Sequence, residues 1–258
     1  MILLIIIFIL GLSIGSFLNV LIDRIPFGKS VIKGRSYCDH CKHKLAWFDL
    51  IPLLSFILLR RKCRYCRKLI SWQYPLVELT TASLFVFTFA SMIYIIEAEI
   101  FFITLLYALI IISGLITIFF TDLKYRIIPD QIIVFSIIIS LIFGAVYNQA
   151  NFLNNFLAGL AMFLLFLGLF LATRGRGMGL GDVKFAFLMG LLLGFPGVVV
   201  AFYLAFLTGA GISIILILMG KKTMKSTIPF GPFLVAATFV AMFYGDSLWI
   251  MFQRMMGI

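Results

Sequence analysis

Residues 1–22 read MILLIIIFILGLSIGSFLNVLI and contain no charged side chain. A helix of about 20 apolar residues is long enough to cross the hydrocarbon core of a bilayer, so this run predicts a membrane-spanning helix. A cleaved signal peptide is the alternative for such a run, but it would need a basic start and a small-x-small cleavage site, and the run has neither. We therefore expect residues 1–22 to remain as a first transmembrane helix.

Charge-free runs of the same character recur along the chain, at residues 79–96, 100–121, 131–173, 185–220 and 226–245. Two of these runs are too long for a single helix. A stretch rich in Asn and Gln at 148–155 divides the first of them, and the turn residues Gly-Phe-Pro-Gly at 194–197 divide the second. The sequence thus predicts about eight transmembrane helices.

The composition leads to the same class of protein. Hydrophobic residues make up 63% of the 258-residue chain and charged residues 12%, which is about half the charged fraction of a typical soluble domain. Such a composition excludes a soluble globular protein, a disordered chain and a secreted disulfide scaffold. Because backbone groups in lipid must pair internally, and because the runs are too long and unalternating for barrel strands, we expect an all-α polytopic membrane protein.

The net charge of +11 is unevenly distributed. Of the 21 Lys and Arg residues, all but Arg254 lie in alternate loops or at their edges, and 12 of them lie between residues 24 and 68. Basic loops of membrane proteins stay in the cytosol, so we expect these loops on the cytosolic side and both termini on the other. The charge then indicates topology and contact with anionic lipid, and we expect no nucleic-acid partner.

Residues 23–75 form the one sizeable segment predicted outside the membrane, and they contain every cysteine of the chain. The cysteines form two CxxC pairs separated by 21 residues, the pattern of a four-cysteine zinc site. They are Cys38, Cys41, Cys63 and Cys66. The surrounding Lys and Arg residues favour thiolates, and four thiolates close a tetrahedral shell, so the predicted zinc is structural.

Other interpretations of this segment are open. The cysteines can also be two unrelated reduced pairs or a redox dithiol, and His40 and His43 are substitute ligands, although solvated loop positions suit them better. Between the pairs, residues 50–59 are apolar but too few to cross a bilayer as a helix. We expect them to lie on the cytosolic interface or to dip into it.

Acidic residues near a membrane core are costly and are therefore candidates for function. Asp122 ends the third predicted span and Asp182 begins the sixth, so the topology places both at the cytosolic interface on different helices. Two carboxylates that meet share a proton, and one can then activate water while the other donates to a substrate carbonyl, as in aspartic proteases. The alternatives are a loop ion pair for Asp122 and a helix cap for Asp182, and Asp130 is expected to be an N-cap.

Glycines at alternate positions precede Asp182 and would let a substrate strand approach closely: Gly175, Gly177, Gly179 and Gly181. They match neither a Walker loop nor a dinucleotide-binding motif. Both histidines of the chain lie in the cysteine segment, which argues against a Ser-His-Asp triad. Glu78 enters the second span, and the sequence does not decide whether it pairs with a lysine or contacts a ligand.

An ordered set of motifs resembles the type IV prepilin peptidases of bacteria. The motifs are GSFLNV at 15–20, RIP at 24–26, both CxxC pairs, LLSF at 53–56, ISWQYPLVE at 70–78, the segment 122–130, GLGDVK at 179–184 and IPFGP at 228–232. Together they cover nearly the whole chain. The GxGD signature at 179–182 is moderately specific alone, and the ordered set is much more specific.

The resemblance implies an intramembrane aspartyl protease that cuts the leader from prepilins and pseudopilins on the cytosolic face of the bacterial plasma membrane. It implies that Asp122, rather than Asp130, forms the catalytic pair with Asp182. It also implies N-methylation of the newly exposed residue with S-adenosylmethionine, an activity associated with the amino-terminal cytosolic module. The residues themselves indicate no site for the methyl donor.

The expected organisation is a first helix at 1–22, a zinc module with an interfacial segment at 23–75, and a transmembrane protease domain at 76–258. Two other classes of function agree less well with the residues. A transporter would place acidic residues near mid-span or contain inverted repeats, and we find no convincing repeat. A non-enzymatic scaffold leaves the glycine-rich segment before Asp182 unexplained.

Overall fold

The computed structural model describes residues 1–31, 33–38, 40–93, 98–175, 177–221, 223 and 228–256. These residues form α1 (Ile2–Arg24), α2 (Leu54–Leu58), α3 (Gln73–Met92), α4 (Ala98–Tyr125), α5 (Asp130–Tyr147), α6 (Gln149–Ala172), α7 (Leu180–Leu218) and α8 (Gly231–Met256). Two 3₁₀ turns, Ile25–Phe27 and Trp47–Leu50, and two isolated β-bridges complete the described secondary structure. The prediction of an all-α protein is confirmed.

Seven of the described helices are long and apolar enough to cross a membrane, and the five-residue α2 is not among them. One of the seven, α7, is 39 residues long and contains a break, because Gly194 and Phe195 have non-helical backbone angles. Gly194 has a φ of 62°, a left-handed conformation that glycine adopts without steric cost. The predicted turn at 194–197 is thus confirmed, and it divides α7 into helical segments at 180–193 and 196–218.

The Asn-rich stretch predicted to separate two spans is mostly helical. Helix α5 ends at Tyr147 and α6 begins at Gln149, so Asn148 is the residue between them. Nδ2 of Asn154 donates a hydrogen bond to the carbonyl oxygen of Phe195 at 3.0 Å. A carbonyl freed by a helix break needs such a partner in a membrane. Part of this polar stretch therefore stabilises the break in α7.

The chain divides into two compact units, residues 1–120 and 121–258. In the first unit, α1 and α3 pack closely against each other. A Cβ atom at Gly15 would lie 2.7 Å from Cα of Glu78, and Gly11, one turn earlier, is in similarly close contact with α3. Small residues four apart on one helix permit this approach of two backbones.

In the second unit, α7 is the central helix. It packs against α5, α6 and α8 and is the most buried of the candidate spans. A Cβ atom at Gly190 would lie 2.5 Å from the backbone nitrogen of Gly159, so α6 and α7 meet backbone to backbone. Neighbours on several sides explain why α7 is apolar around its whole circumference.

Candidate active site and metal cluster

Asp122 lies in the last turn of α4, and the residue is 5% exposed. Its Oδ2 atom accepts a hydrogen bond from the backbone N–H of Gly231 at 3.0 Å. Gly231 begins α8, and a Cβ atom at this position would lie 2.6 Å from the same oxygen. Glycine is therefore the residue that allows the backbone to approach the carboxylate.

Asp182 lies in the first turn of α7 and is 7% exposed. Its Oδ2 atom accepts a hydrogen bond from the backbone N–H of Gly179 at 3.0 Å. This contact satisfies a donor at the helix start, and a carboxylate there is favoured by the helix dipole. Gly179 is the N-cap residue, so the alternative prediction that Asp182 is the cap is wrong; Asp182 is the third residue of α7, and its side chain closes a capping box with the N–H of Gly179.

The two aspartates lie in the same compact unit, residues 121–258. Ile128 connects the segments that hold them. A Cβ atom at Gly181 would lie 2.9 Å from Cβ of Ile128, and one at Gly231 would lie 3.2 Å from its Cδ1. Each carboxylate thus has one oxygen fixed by a glycine N–H, and one isoleucine packs against both glycine-containing segments.

Asp130 has a different environment from the buried pair. Helix α5 starts with Asp130 itself and Pro129 precedes it, so the predicted N-cap role of Asp130 is wrong. Its Oδ2 atom accepts a hydrogen bond from Nζ of Lys184 at 2.8 Å, and its side chain is 62% exposed. An exposed ion pair of this kind adds little stability, but it connects the starts of α5 and α7.

The structure brings all the cysteines together. The Sγ atoms of Cys38, Cys41, Cys63 and Cys66 all lie within 4.8 Å of one another. The Sγ atoms of Cys38 and Cys66 are 3.9 Å apart, close to the separation of about 3.8 Å that tetrahedral Zn–S bonds of about 2.3 Å require. The cluster therefore has the ligand set and the spacing of a four-thiolate metal site.

Each CxxC pair lies in the same type of backbone turn. The N–H of Cys38 donates to the carbonyl of His43 at 3.0 Å, and the N–H of Cys63 donates to that of Lys68 at 2.9 Å. In both turns the residue four positions after the first cysteine has a positive φ, and an isolated β-bridge encloses the pair. The two turns are thus one structural unit repeated 25 residues later.

The thiols differ in acidity because of their surroundings. Burial raises the pKa of Cys63, but the N–H groups of Cys66 and Tyr65 and the neighbouring thiols outweigh this effect and lower it to about 7. The N–H of Lys68 lowers the pKa of Cys66, but burial and hydrogen bonds with the other thiols raise it to about 11. Protons shared among clustered sulfurs explain these opposite shifts, and a bound cation would favour ionisation of the whole set.

Neither histidine belongs to the cysteine cluster among the described residues. The ring of His43 lies on that of Tyr65, with 3.7 Å between centroids, and His40 is exposed. Both histidines are exposed, which agrees with the prediction that solvated loop positions suit them better, and His43 also packs on an aromatic ring.

Asp49 fixes the second cysteine turn to the segment before α2. Its Oδ1 atom accepts a hydrogen bond from Nε of Arg64 at 2.7 Å, and its Oδ2 atom accepts one from the Ala46 N–H at 3.2 Å. The Asp49 side chain is 3% exposed. Burial raises its pKa, but Arg64, the Ala46 N–H and the Tyr65 hydroxyl more than compensate, so the pKa lies below its ordinary value.

Glu78 makes a backbone contact rather than an ion pair with a lysine among the described residues. Its Oε2 atom accepts a hydrogen bond from the N–H of Leu53 at 2.8 Å, and Leu53 has a φ of 57° just before α2. Residues Ile57 and Leu58 of α2 are exposed, as an interfacial segment requires. Glu78 therefore attaches the segment predicted at the interface to α3, a role that sequence reasoning missed because a backbone N–H leaves no sequence signal.

Comparison of the sequence with known proteins places the chain in a family. The profile of the Type IV leader peptidase family matches residues 109–214, and that of the Bacterial Peptidase A24 N-terminal domain matches residues 9–92. A prepilin leader peptidase/N-methyltransferase of Bacillus subtilis (strain 168) is 36% identical over 246 residues, which cover 94% of this chain and 95% of that protein. The chain belongs to the type IV leader peptidase family.

Two further relatives with the same description are similar to this chain over most of its length. A protein of the same description from Aeromonas hydrophila is 32% identical, with 94% of this chain and 91% of that protein covered, and one from Legionella pneumophila is 32% identical, with 92% and 90% covered. No solved structure matches the chain. The family predicted from the motifs is confirmed, and its profile at 109–214 includes both aspartates.

Proposed function

We propose that this chain removes the leader peptide from type IV prepilins and pseudopilins, N-methylates the residue that cleavage exposes, and uses Asp122 and Asp182 as its peptidase pair. Family membership supports the two activities. The geometric observation that supports the pair is that both carboxylates are buried in one unit and are each held by one glycine N–H.

The cleavage step uses the two carboxylates in complementary protonation states. When two carboxylates share one proton, the ionised one removes a proton from water while the protonated one donates to the oxygen of the scissile carbonyl. Water oxygen then bonds to the carbonyl carbon. Collapse of this intermediate breaks the C–N bond, and the leaving nitrogen takes up a proton from the pair. Products are a carboxyl end on the leader and a free amine on the mature pilin.

The chain assists this chemistry by fixing the carboxylates. The N–H groups of Gly231 and Gly179 each hold one Oδ2 atom, so neither side chain must be ordered when substrate binds, and pre-positioned groups lower the barrier. Glycines before Asp182 add no side chains that would separate an extended substrate from the carboxylates. We assign the scissile bond to the position after a leader-terminal Gly.

We propose that Cys38, Cys41, Cys63 and Cys66 hold one Zn²⁺. The clustering of their sulfurs and the repeated turn support this ligand set. A closed four-thiolate shell supplies structural stabilisation rather than a bound water, so the metal would hold together the segment at 23–75, which we propose as a separate module beside a protease domain at 76–258. S-adenosylmethionine is the proposed methyl donor.

We propose that the chain is a multi-pass protein of the bacterial plasma membrane, with the aspartates and the cysteine module on the cytosolic side. Seven apolar helices among the described residues support the multi-pass arrangement. Orientation is supported by the concentration of Lys and Arg in alternate loops. The same basic loops are suited to contact anionic lipid.

The proposal is tested by co-expressing a prepilin with Asp122→Asn or Asp182→Asn enzyme and measuring the mature mass by mass spectrometry. Each substitution removes a titrating group, so cleavage should fall by about 10²–10⁴-fold. Asp130→Asn is the matched control and should retain cleavage, because its side chain is 62% exposed and forms an ion pair instead. Undiminished processing by either Asn variant of the pair would refute the assignment.

A further inference from the structure

Thr121 carries a buried hydroxyl that the described part of the chain does not satisfy. The residue lies in α4, immediately before Asp122, and is 0% exposed. Within the described residues, its Oγ1 atom is the one buried side-chain nitrogen or oxygen without a hydrogen-bond partner. Buried polar atoms almost always have a partner, and one that finds none within the chain is a candidate to bind water or a ligand.

The other buried threonines of the described helices satisfy their hydroxyls locally. Each of them donates a hydrogen bond of 2.7 or 2.8 Å to the carbonyl oxygen four residues earlier: Thr81, Thr88, Thr117 and Thr238. This bond to the preceding turn is open to a helical threonine in general, but Thr121 does not make it. The hydroxyl of Thr121 is therefore left for a group outside its own helix.

Thr121 and Asp122 border the same buried face of α4. Consecutive residues of a helix point about 100° apart. Thr121 is 0% and Asp122 5% exposed, whereas the next residue, Leu123, is 53% exposed. The arc between the first two side chains therefore faces the interior of the protein. Neighbouring side chains on a helix do not face each other, but two hydrogen bonds of about 2.8 Å each let one water molecule join them.

The carboxylate of Asp122 has the capacity for such a water. Its Oδ2 atom accepts the N–H of Gly231, and a carboxylate offers about four lone-pair sites in all. The Gly231 bond fixes the orientation of the carboxylate without exhausting it. A buried water usually has about three polar partners, and the Thr121 hydroxyl and the Asp122 carboxylate supply two.

We propose that the Thr121 hydroxyl holds the water that attacks the scissile carbonyl, next to Asp122; this inference rests on the proposed peptidase pair. The water donates one hydrogen bond to the Asp122 carboxylate and the other to Oγ1 of Thr121. With both hydrogens directed, a lone pair on the water oxygen is left to bond to the carbonyl carbon. Thr121 neither gains nor loses a proton, so the balance of the hydrolysis is that of the two carboxylates alone.

The first experiment removes the hydroxyl and keeps the shape of the side chain. Full-length enzyme in lipid nanodiscs cleaves prepilin, and mass spectrometry follows the product. Thr121→Val should lower kcat by about 10–100-fold, because the attacking water loses its orientation, while the KM for prepilin stays the same. Thr121→Ser, which keeps a hydroxyl, should restore most of kcat. Thr117→Val is the matched control, one turn away on the same helix, and should cleave at the wild-type rate.

Two results of this experiment would overturn the proposal. Wild-type kcat in Thr121→Val would show that the hydroxyl takes no part in cleavage. A raised KM with unchanged kcat would show that it binds the substrate chain rather than water. The unfolding temperature separates a structural role: loss of an unpaired buried hydroxyl from a side chain of the same shape should not lower it. A lowered unfolding temperature together with lost cleavage overturns the proposal as well.

The second experiment measures binding without turnover. The probes are two prepilin segments whose scissile peptide bond is replaced by a hydroxyethylene group or by an ethylene group. The hydroxyl of the first probe takes the place of the attacking water, and a threonine hydroxyl can donate to it as well as accept from it. Wild-type enzyme should prefer this probe by about tenfold or more, the effect of one or two hydrogen bonds. Thr121→Val should lose most of that preference, Thr121→Ser should keep it, and an unchanged preference in Thr121→Val overturns the proposal.

The wild-type and aspartate arms separate this inference from the proposed function. Wild-type enzyme that cleaves no prepilin overturns the peptidase function and the role of Thr121 together. Cleavage that persists in Asp122→Asn overturns the proposed pair, and the water site beside it. Cleavage by wild type that is lost in Asp122→Asn but complete in Thr121→Val overturns the role of Thr121 alone.

Discussion

The backbone N–H of Gly231 donates to Oδ2 of Asp122 at 3.0 Å, across 109 residues of sequence. This hydrogen bond joins the end of α4 to the start of α8 at a buried carboxylate. Because a backbone group makes it, no side-chain substitution at 231 can remove the donor, except proline. A substitution at 231 can instead add side-chain atoms close to the Oδ2 atom of Asp122.

Gly231→Ala should therefore inactivate cleavage while keeping the hydrogen-bond donor. The added Cβ would lie 2.6 Å from Oδ2 and 3.0 Å from Cγ of Asp122, so the carboxylate must move. Misplacement of a catalytic group by about 1 Å costs roughly 10²-fold in rate. Prepilin cleavage, followed by mass spectrometry, measures the loss.

Gly168→Ala is the control for this substitution. It makes the same chemical change at an exposed position of α6, where an added Cβ meets nothing within 4 Å. We expect wild-type cleavage. If Gly231→Ala also cleaves at the wild-type rate, the contact between Gly231 and Asp122 does not position the carboxylate during catalysis.

Cys63→Ser should release the metal and loosen the cysteine module. Cys63 is 3% exposed, and loss of one ligand from a four-thiolate site removes the stabilisation that the metal supplies to a small segment. We expect metal content by elemental analysis to fall from about one Zn²⁺ per chain and proteolysis to increase within residues 23–75. His40→Ala is the control and should retain the metal. A Cys63→Ser protein with full metal and full protease resistance would contradict the site.

Asp49 should make the module sensitive to acid. The pKa of Asp49 in the folded chain is lower than its ordinary value of 3.8, so its stabilising contribution is complete above the ordinary value. That contribution is lost as pH falls through the lowered pKa. Amide protection at 46–50, measured by hydrogen exchange with metal in excess, should be steady above about pH 5 and should fall below about pH 4.

The variant Asp49→Asn separates the effect of the Asp49 carboxylate on stability from that of the cysteines, which also titrate. Asp49→Asn should lower the stability of the module by about 1–3 kcal/mol at neutral pH, the contribution of a hydrogen bond to a charged group. The difference between wild type and variant should shrink as the pH falls below 4. A difference that stays constant over this range would show that the contact of Asp49 with Arg64 does not stabilise the module through charge.

Gly15→Ala should destabilise the packing of α1 against α3. The added Cβ would lie 2.7 Å from Cα of Glu78, a backbone atom that cannot move aside as a flexible side chain can. Overpacking of this kind costs about 1–3 kcal/mol, which should appear as a lower unfolding temperature in detergent. Gly168→Ala, with open space around it, should leave that temperature unchanged, and an equal shift in both variants would contradict the close approach.

Sequence patterns predicted the helices better than their ends. Helix α3 starts at Gln73 rather than in the charge-free run at 79, and α8 continues to Met256 past the predicted end at 245. Charge-free runs identify the part of a helix that lies in hydrocarbon, whereas backbone hydrogen bonds continue through polar residues such as Gln73 and Asp246. The length of a span in lipid and the length of its helix are different quantities.

Only part of the candidate active site could be predicted from the sequence, because backbone contacts leave no pattern in the residues. Asp122 and Asp182 were identified because charged groups near a membrane stand out in an apolar sequence. The contacts that hold them were not, because Gly231 and Gly179 act through backbone N–H groups that every residue except proline has. Asn154 was interpreted as a loop residue, since nothing in its own segment indicates that it pairs with Phe195 at a break 41 residues away.

The break in α7 limits how far the chain around Asp182 can reach across a bilayer. The helical segment at 180–193 has 14 residues and so measures about 21 Å, against a hydrocarbon thickness of about 30 Å. A rod of this length cannot have both ends at opposite headgroup layers of an undisturbed membrane. Either Asp182 or the break at Gly194 and Phe195 therefore lies below the lipid surface. This position requires local thinning of the bilayer or a water-filled recess in the protein. Water for hydrolysis then has a short path to travel.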